Sequence, residues 1–232
     1  EEALEIQVRA FGSREHLSVA ATLVAMANIQ AECGDVDGAR EHLAEATSSE
    51  SMALDHGNLP WAAGTVVDMA NAFRLLGEFD QALAKLNDAL AVLEQVYGTR
   101  THSSIASCLC GIGVTLREQD NPAAALPFLE EALRIQESLF DGRSNSIVGV
   151  TLYQLGTVEC LCGHGSQGEE HIGQAFEVFW SSSSGPSPPP LDRQGHLLLA
   201  RGTCHRSHGE LSLAQDDFAS ALAVFQAEQS IR

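Results

Sequence analysis

The chain has 232 residues with 13 basic and 31 acidic side chains, a formal charge of −18 and 44% hydrophobic residues, enough apolar material for a sizeable core and roughly one to two ordinary domains. Its basic side chains are twelve arginines and a single lysine, Lys85, too few to neutralise much phosphate, which excludes nucleic acid and anionic membrane as expected partners. No run approaches the roughly 18 apolar residues of a membrane span, and Glu1-Glu2-Ala3-Leu4 lacks the basic start and apolar middle of a signal peptide, so a cytoplasmic location is expected. In chain order, Glu1 to Phe11 reads as one amphipathic helix, the second half of a truncated hairpin. Five helix hairpins follow, at about 13–56, 57–98, 99–141, 142–180 and 191–232, with 1–12 as the half repeat and a polar, flexible Ser/Pro insert at 181–190.

The hairpins are read from a recurrence. AREHLAEATS begins at Ala39, ALAKLNDALA at Ala82, ALPFLEEALR at Ala125, GEEHIGQAFE at Gly168 and AQDDFASALA at Ala214, so four of the five starts are 43 residues apart and the last is delayed by the insert. Each block carries a small residue, a bulky one four later and Ala three after that: Ala39/Leu43/Ala46, Ala82/Leu86/Ala89, Ala125/Leu129/Ala132, Gly168/Ile172/Ala175 and Ala214/Phe218/Ala221. Those spacings put all three on one helical face. An amphipathic stretch precedes every block, and helix-ending or turn-making residues, Gly34-Asp35, Gly77-Glu78, Asp120-Asn121-Pro122, Gly163-His164 and Gly209-Glu210, separate the two halves. A single hairpin cannot bury its apolar stripe, so the units must stack. The expected fold is all-α, a right-handed α-solenoid forming one domain over 1–232, with no strand. The apolar ends and the start without Met lead us to expect a fragment of a longer protein, with further domains of the same chain.

Two features carry a resemblance. MANAFRLLGEFDQAL, from Met69 to Leu83, is similar to the tetratricopeptide repeat consensus, with Met26-Ala27-Asn28 matching Met69-Ala70-Asn71. The lead-in segments FGSREHLSVAATL, YGTRTHSSIASCL and FDGRSNSIVGVTL resemble the kinesin light chain type of repeat. His16 and His102 stand at that family's His place, while Asn145 departs from it. The resemblance implies a stacked-hairpin fold and a protein or peptide partner. It does not extend to a motor-binding coiled coil, which is missing. Nor does it reach the first-helix Asn pair used for cargo peptides, whose places are held by Val24-Ala25, Val67-Asp68, Cys110-Gly111, Tyr153-Gln154 and Leu199-Ala200.

On a stacked array the first helices line the inner face. The candidate peptide groove is Val24, Asn28, Val67, Asp68, Asn71, Arg74, Cys110, Val114, Arg117, Tyr153, Thr157, Leu199, Thr203 and Arg206. Asparagine amides offer a donor and an acceptor to an extended backbone, and Arg74, Arg117 and Arg206, at one repeat place, offer forks to carboxylates. The alternative for these arginines is pairing with Glu78, Asp120 or Glu210, about one turn on.

Other chemistry finds little support. The six cysteines of a long helical chain are expected to be reduced thiols packed at helix interfaces. Cys108-Leu109-Cys110 and Cys160-Leu161-Cys162 place thiols about 200° apart on a helix, so neither pair can chelate one ion. Cys204, His205 and His208 are better spaced but need donors from another unit. No phosphate-cradling loop, nucleophile elbow or zinc-protease motif occurs. The expected protein is a noncatalytic interaction scaffold without metal or cofactor. Its alternatives are a regulatory or sensor arm of a larger multidomain enzyme or signalling protein, and a kinesin light chain-like cargo adaptor.

Overall fold

The structure, a computed structural model, describes residues 2–12, 16–55, 59–140, 145–181 and 191–230. Among these residues there are eleven helices and no strand: α1 (Glu2–Phe11), α2 (Leu17–Glu32), α3 (Val36–Asp55), α4 (Leu59–Leu75), α5 (Phe79–Tyr97), α6 (Ser103–Glu118), α7 (Pro122–Leu139), α8 (Ser146–Leu161), α9 (Gly165–Ser181), α10 (Leu191–Ser207) and α11 (Leu211–Gln229). The expected insert, beyond Ser181, lies outside the described residues, as do 13–15 and 141–144 of two lead-in segments.

The chain divides into two compact units, 1–115 and 116–232. In the first, α2 packs on α3 and α4 on α5, α4 also lies against α2 and α3, and α1 covers α2. In the second, α8 pairs with α9 and α10 with α11, while α7 meets α8 and α10 lies on both α8 and α9. The fold is an all-α repeat solenoid of helix hairpins. The small-large-small triplets make its core: Ala39, Leu43, Ala46, Ala82, Leu86, Ala89, Ala125, Leu129, Ala132, Ile172 and Ala175 are all at most 2% exposed. Phe218 of the last triplet is only half-buried.

The turns inside the hairpins repeat one hydrogen-bond scheme. Glu78 N–H donates to Phe73 O at 2.8 Å and Gly77 N–H to Arg74 O at 3.0 Å, and the same pair of bonds recurs at Asp35/Gly34, Asn121/Asp120, His164/Gly163 and Glu210/Gly209. This closing of helix carbonyls needs a left-handed residue, supplied by glycine at Gly34, Gly77, Gly163 and Gly209 (φ between 73° and 84°) and by Asp120 (φ 61°) in the third hairpin.

The lead-in histidines prove to be helix caps. His16 Nδ1 accepts from Ser18 N–H and His102 Nδ1 from Ser104 N–H, both at 3.2 Å. Their rings stack on Phe11 and Tyr97, with centroids 3.9 and 3.6 Å apart. Asn145, which departs from the pattern, caps α8 with the same bond, accepting from Ile147 N–H at 2.9 Å. The place asks for a side-chain acceptor two residues before a free amide, and either residue supplies it.

A second recurring device joins the two helices of a hairpin. Gln30 Oε1 lies 2.6 Å from His42 Nδ1, Glu159 Oε2 2.6 Å from His171 Nδ1, and Asp217 Oδ2 3.0 Å from His205 Nδ1. Each pair spans twelve residues, and Glu159 and Asp217 are 5% exposed. Burying such groups is tolerable only because each faces a polar partner.

Candidate functional site

In the first unit, Val67, Asp68, Asn71 and Arg74 on α4 line a cavity of about 240 Å³ together with Ala70, Leu86 of α5, and Gly111 and Thr115 of α6. The first four are residues expected from the repeat. Ala70, Leu86, Gly111 and Thr115 were not among the expected groove residues, which were chosen from the inner face of first helices with none from second helices. Leu86 reaches the cavity where Gly111 has no side chain: a Cβ there would stand 3.0 Å from Leu86 Cδ2.

The polar side of the cavity belongs to a ladder that crosses the repeat step. Asn71 Nδ2 donates to Asn28 Oδ1 at 2.8 Å, Asn28 Nδ2 donates to Val24 O and Asp68 O at 3.1 Å, and Arg74 Nη2 donates to Asn71 Oδ1 at 2.7 Å. Asn28 and Asn71 are therefore tied to each other, one repeat apart, and Arg74 is oriented by Asn71. Glu78 pairs with Arg40 at 2.6 Å. Burial pushes the Asp68 carboxyl above its ordinary range, since desolvation disfavours the charged form.

The other expected residues are placed as follows. Val24 is 1% exposed and belongs to the core, whereas Cys110 and Val114 are half-buried outside the cavity lining. In the second unit Arg117 donates to Gln154 Oε1 at 2.8 Å and meets Glu118, not Asp120. Thr157 (9% exposed) and Thr203 return their hydroxyls to Tyr153 O and Leu199 O within their own helices. Tyr153 stands edge-on to His196, which is edge-on to Phe225. Leu199 is exposed. Arg206 borders an open cavity of about 470 Å³ against Leu211, Phe218 and Leu222.

The cysteines correct one expectation. Cys160 and Cys204 are joined as a disulfide with Cα atoms 4.9 Å apart, linking α8 to α10, so these two are not reduced thiols. Reasoning about pairs within one helix missed a partner on the helix stacked against it. Cys33, Cys108, Cys110 and Cys162 are free, and burial pushes the Cys108 thiol up to about 12, keeping it a packing residue. Among the described residues no helix is long and apolar enough to cross a membrane.

The geometry defines a class first: a stack of helix hairpins with short glycine turns and a small-large-small core, the architecture of a protein-interaction solenoid. The sequence model of the tetratricopeptide repeat matches residues 61–138. No curated protein sequence matches. Among solved structures the chain is similar to BtubC (BKLC) from P. vanneervenii, with TM-score 0.71 and 15% identity over 98% of this chain and 87% of that one. It is also similar to the nearly identical TPR-like repeats assigned to a kinesin light chain of Podosopora anserina, with TM-score 0.65 and 17% identity over 92% and 98%. YrrB, described as a TPR protein with an unusual peptide-binding site, aligns with TM-score 0.51 and 14% identity over 96% and 92%. Residues 61–138 are thus similar to the tetratricopeptide repeat, and the chain shares the fold of repeat proteins that include the kinesin light chain type.

Proposed function

We propose that this chain is a noncatalytic scaffold that binds an extended segment of a protein partner on its first-helix surface, with the α4 cavity as an anchoring point. The observation that carries the reading is the convergence of Val67, Asp68, Asn71 and Arg74 on one cavity whose polar groups are held in place by the Asn28–Asn71–Arg74 ladder. Its volume, about 240 Å³, is below the roughly 300–1,000 Å³ of small-molecule pockets and suits one side chain. Val67, Ala70 and Leu86 would take that side chain. A backbone carbonyl of the bound segment would meet the Arg74 guanidinium, and an amide the Asp68 carboxylate. Orienting groups that are already locked lower the ordering cost of binding.

Selection of a displayed random-peptide library on the chain tests this, followed by fluorescence polarisation against Val67→Arg and Arg74→Glu. Each variant is expected to weaken selected peptides at least about tenfold, equivalent to about 1.4 kcal/mol. Peptides that bind both variants as tightly as the parent chain would refute the anchoring point.

A further inference from the structure

The start of α9 and the turn that opens α11 bring together Glu169, His208 and Glu210, whose ligand atoms all lie within 4.8 Å of one another. His208 Nδ1 is 3.1 Å from Glu169 Oε1. Its ring lies over Gly165, where a Cβ would overlap it, so the close approach of imidazole to α9 depends on that glycine. Glu210 occupies the N-cap position of α11, yet its side chain makes no capping hydrogen bond. A fourth donor is near: His205 Nε2 is 3.9 Å from Glu210 Oε2, while its Nδ1 faces Asp217 Oδ2 at 3.0 Å.

The chain contains its own comparison. By the repeat, Glu210 corresponds to Glu78, the residue after the turn glycine, and Glu169 corresponds to Arg40, the residue after the small residue that starts each block. In the first unit these places hold the Arg40–Glu78 ion pair at 2.6 Å. In the second unit the place of the arginine is taken by a carboxylate, so two acids and an imidazole converge where the counterpart has a cation and an anion.

We propose that Glu169, His208 and Glu210 bind a divalent first-row transition ion of the zinc class, with His205 available as a fourth ligand. The mixed imidazole and carboxylate donors fit zinc, nickel or copper better than calcium or magnesium, which prefer all-oxygen sites. Charge argues the same way, because a dication supplies what the guanidinium supplies in the first unit. The ion ties the beginning of α9 to the α10–α11 turn, bracing two neighbouring hairpins.

The test uses the whole chain, stripped with chelator and with its accessible free thiols, Cys33, Cys110 and Cys162, alkylated so that sulfur cannot ligate. Calorimetric titration with Zn²⁺ is expected to show one ion per chain, Mg²⁺ no comparable binding, and His208→Ala or Glu169→Gln a loss of more than about tenfold. The deciding variant is Glu169→Arg, which rebuilds the first unit's ion pair on an exposed helix turn. It is expected to fold and melt like the parent but to show no zinc-dependent rise in Tm. Absence of zinc binding by the parent, or zinc binding by Glu169→Arg at parental affinity, overturns the proposal.

Discussion

Replacing Gly156 by alanine separates two effects that usually travel together. Alanine favours a helix over glycine by about 1 kcal/mol, so in open space the change stabilises. At Gly156 the new Cβ would stand 2.7 Å from Gly168 O, 2.8 Å from Ile172 Cγ1 and 3.1 Å from Ile172 N. The nearest atom is backbone and cannot swing aside, and the shortfall from ordinary contact is about 0.7 Å. Helices α8 and α9 must therefore separate along a seam that includes Leu152, Leu155, Ile172 and Ala175, all at most 2% exposed. Overpacking of this kind costs roughly 1–3 kcal/mol. With a backbone obstacle the upper half of that range applies, leaving a net loss of about 1–2 kcal/mol after the helical gain. Gly173, on the exposed side of α9, has nothing within 4 Å of its Cβ position, and Gly173→Ala is expected to gain up to about 1 kcal/mol. For a chain of this size each kcal/mol moves the melting midpoint by about 2–4 °C. Thermal unfolding followed by far-UV circular dichroism should thus order the proteins Gly173→Ala, parent, Gly156→Ala. A Gly156→Ala midpoint equal to or above that of Gly173→Ala would show that the two helices do not approach as described.

Three further outcomes follow from single places. Asp120 takes the left-handed turn conformation that its four counterparts leave to glycine; Asp120→Gly should raise the unfolding free energy by up to about 1 kcal/mol, the approximate cost of that conformation for a residue with a Cβ, seen as a higher urea midpoint. Burial raises the Asp68 pKa above its ordinary 3.8. A carboxyl with a raised folded-state pKa binds more protons folded than unfolded, so its contribution to stability falls as pH rises through that window and stays low above it. Asp68→Asn is then expected to be more stable than the parent at neutral pH and to lose that advantage as pH falls from the raised folded-state pKa toward 3.8, which denaturant titrations at several pH values will read. The Cys160–Cys204 link closes a loop of 44 residues, worth about 4 kcal/mol in the chain-entropy estimate. Reductant or Cys160→Ser should lower the melting midpoint, and non-reducing peptide mapping should recover the joined peptides; full alkylation of all six thiols under non-reducing denaturation would contradict the link.

The repeat was legible because it is a packing requirement. Small residues where helices touch and large ones where they interlock must recur at the repeat length, so the triplets at Ala39, Ala82 and Ala125 announced both helix faces and core. The turns were legible for a similar reason, and even Asp120 was marked as a turn by the Asn121-Pro122 that follows. The polar partners were not. Asn28 and Asn71 were read separately, each offering a donor and an acceptor to a peptide backbone, although residues at one repeat place on stacked helices face each other, and here they bond to each other at 2.8 Å. Arg74 was weighed against Glu78 within its own hairpin, and the preceding hairpin's Arg40, which also reaches that glutamate, was not considered. Cys160 and Cys204 escaped because thiols were compared along one helix and not across the stack.

These misses share a cause that also explains how the two units differ. Apolar places repeat because every hairpin meets the same geometry, but a polar place needs only a complementary partner, and complementarity can be met by different pairs. The place of Gln30 and His42 holds Glu159 and His171 in the fourth hairpin and His205 and Asp217 in the fifth, while the second hairpin puts Phe73 and Lys85 there. Within the second unit the neighbouring hairpins are held by a disulfide and by His208 against Glu169, and Asp217 is further held by Arg201, whose guanidinium is driven to still higher pKa chiefly by that hydrogen bond. Within the first unit the neighbouring hairpins are held by the asparagine ladder and Arg40–Glu78. A partner that reads polar groups on this chain would therefore meet a different set on each unit.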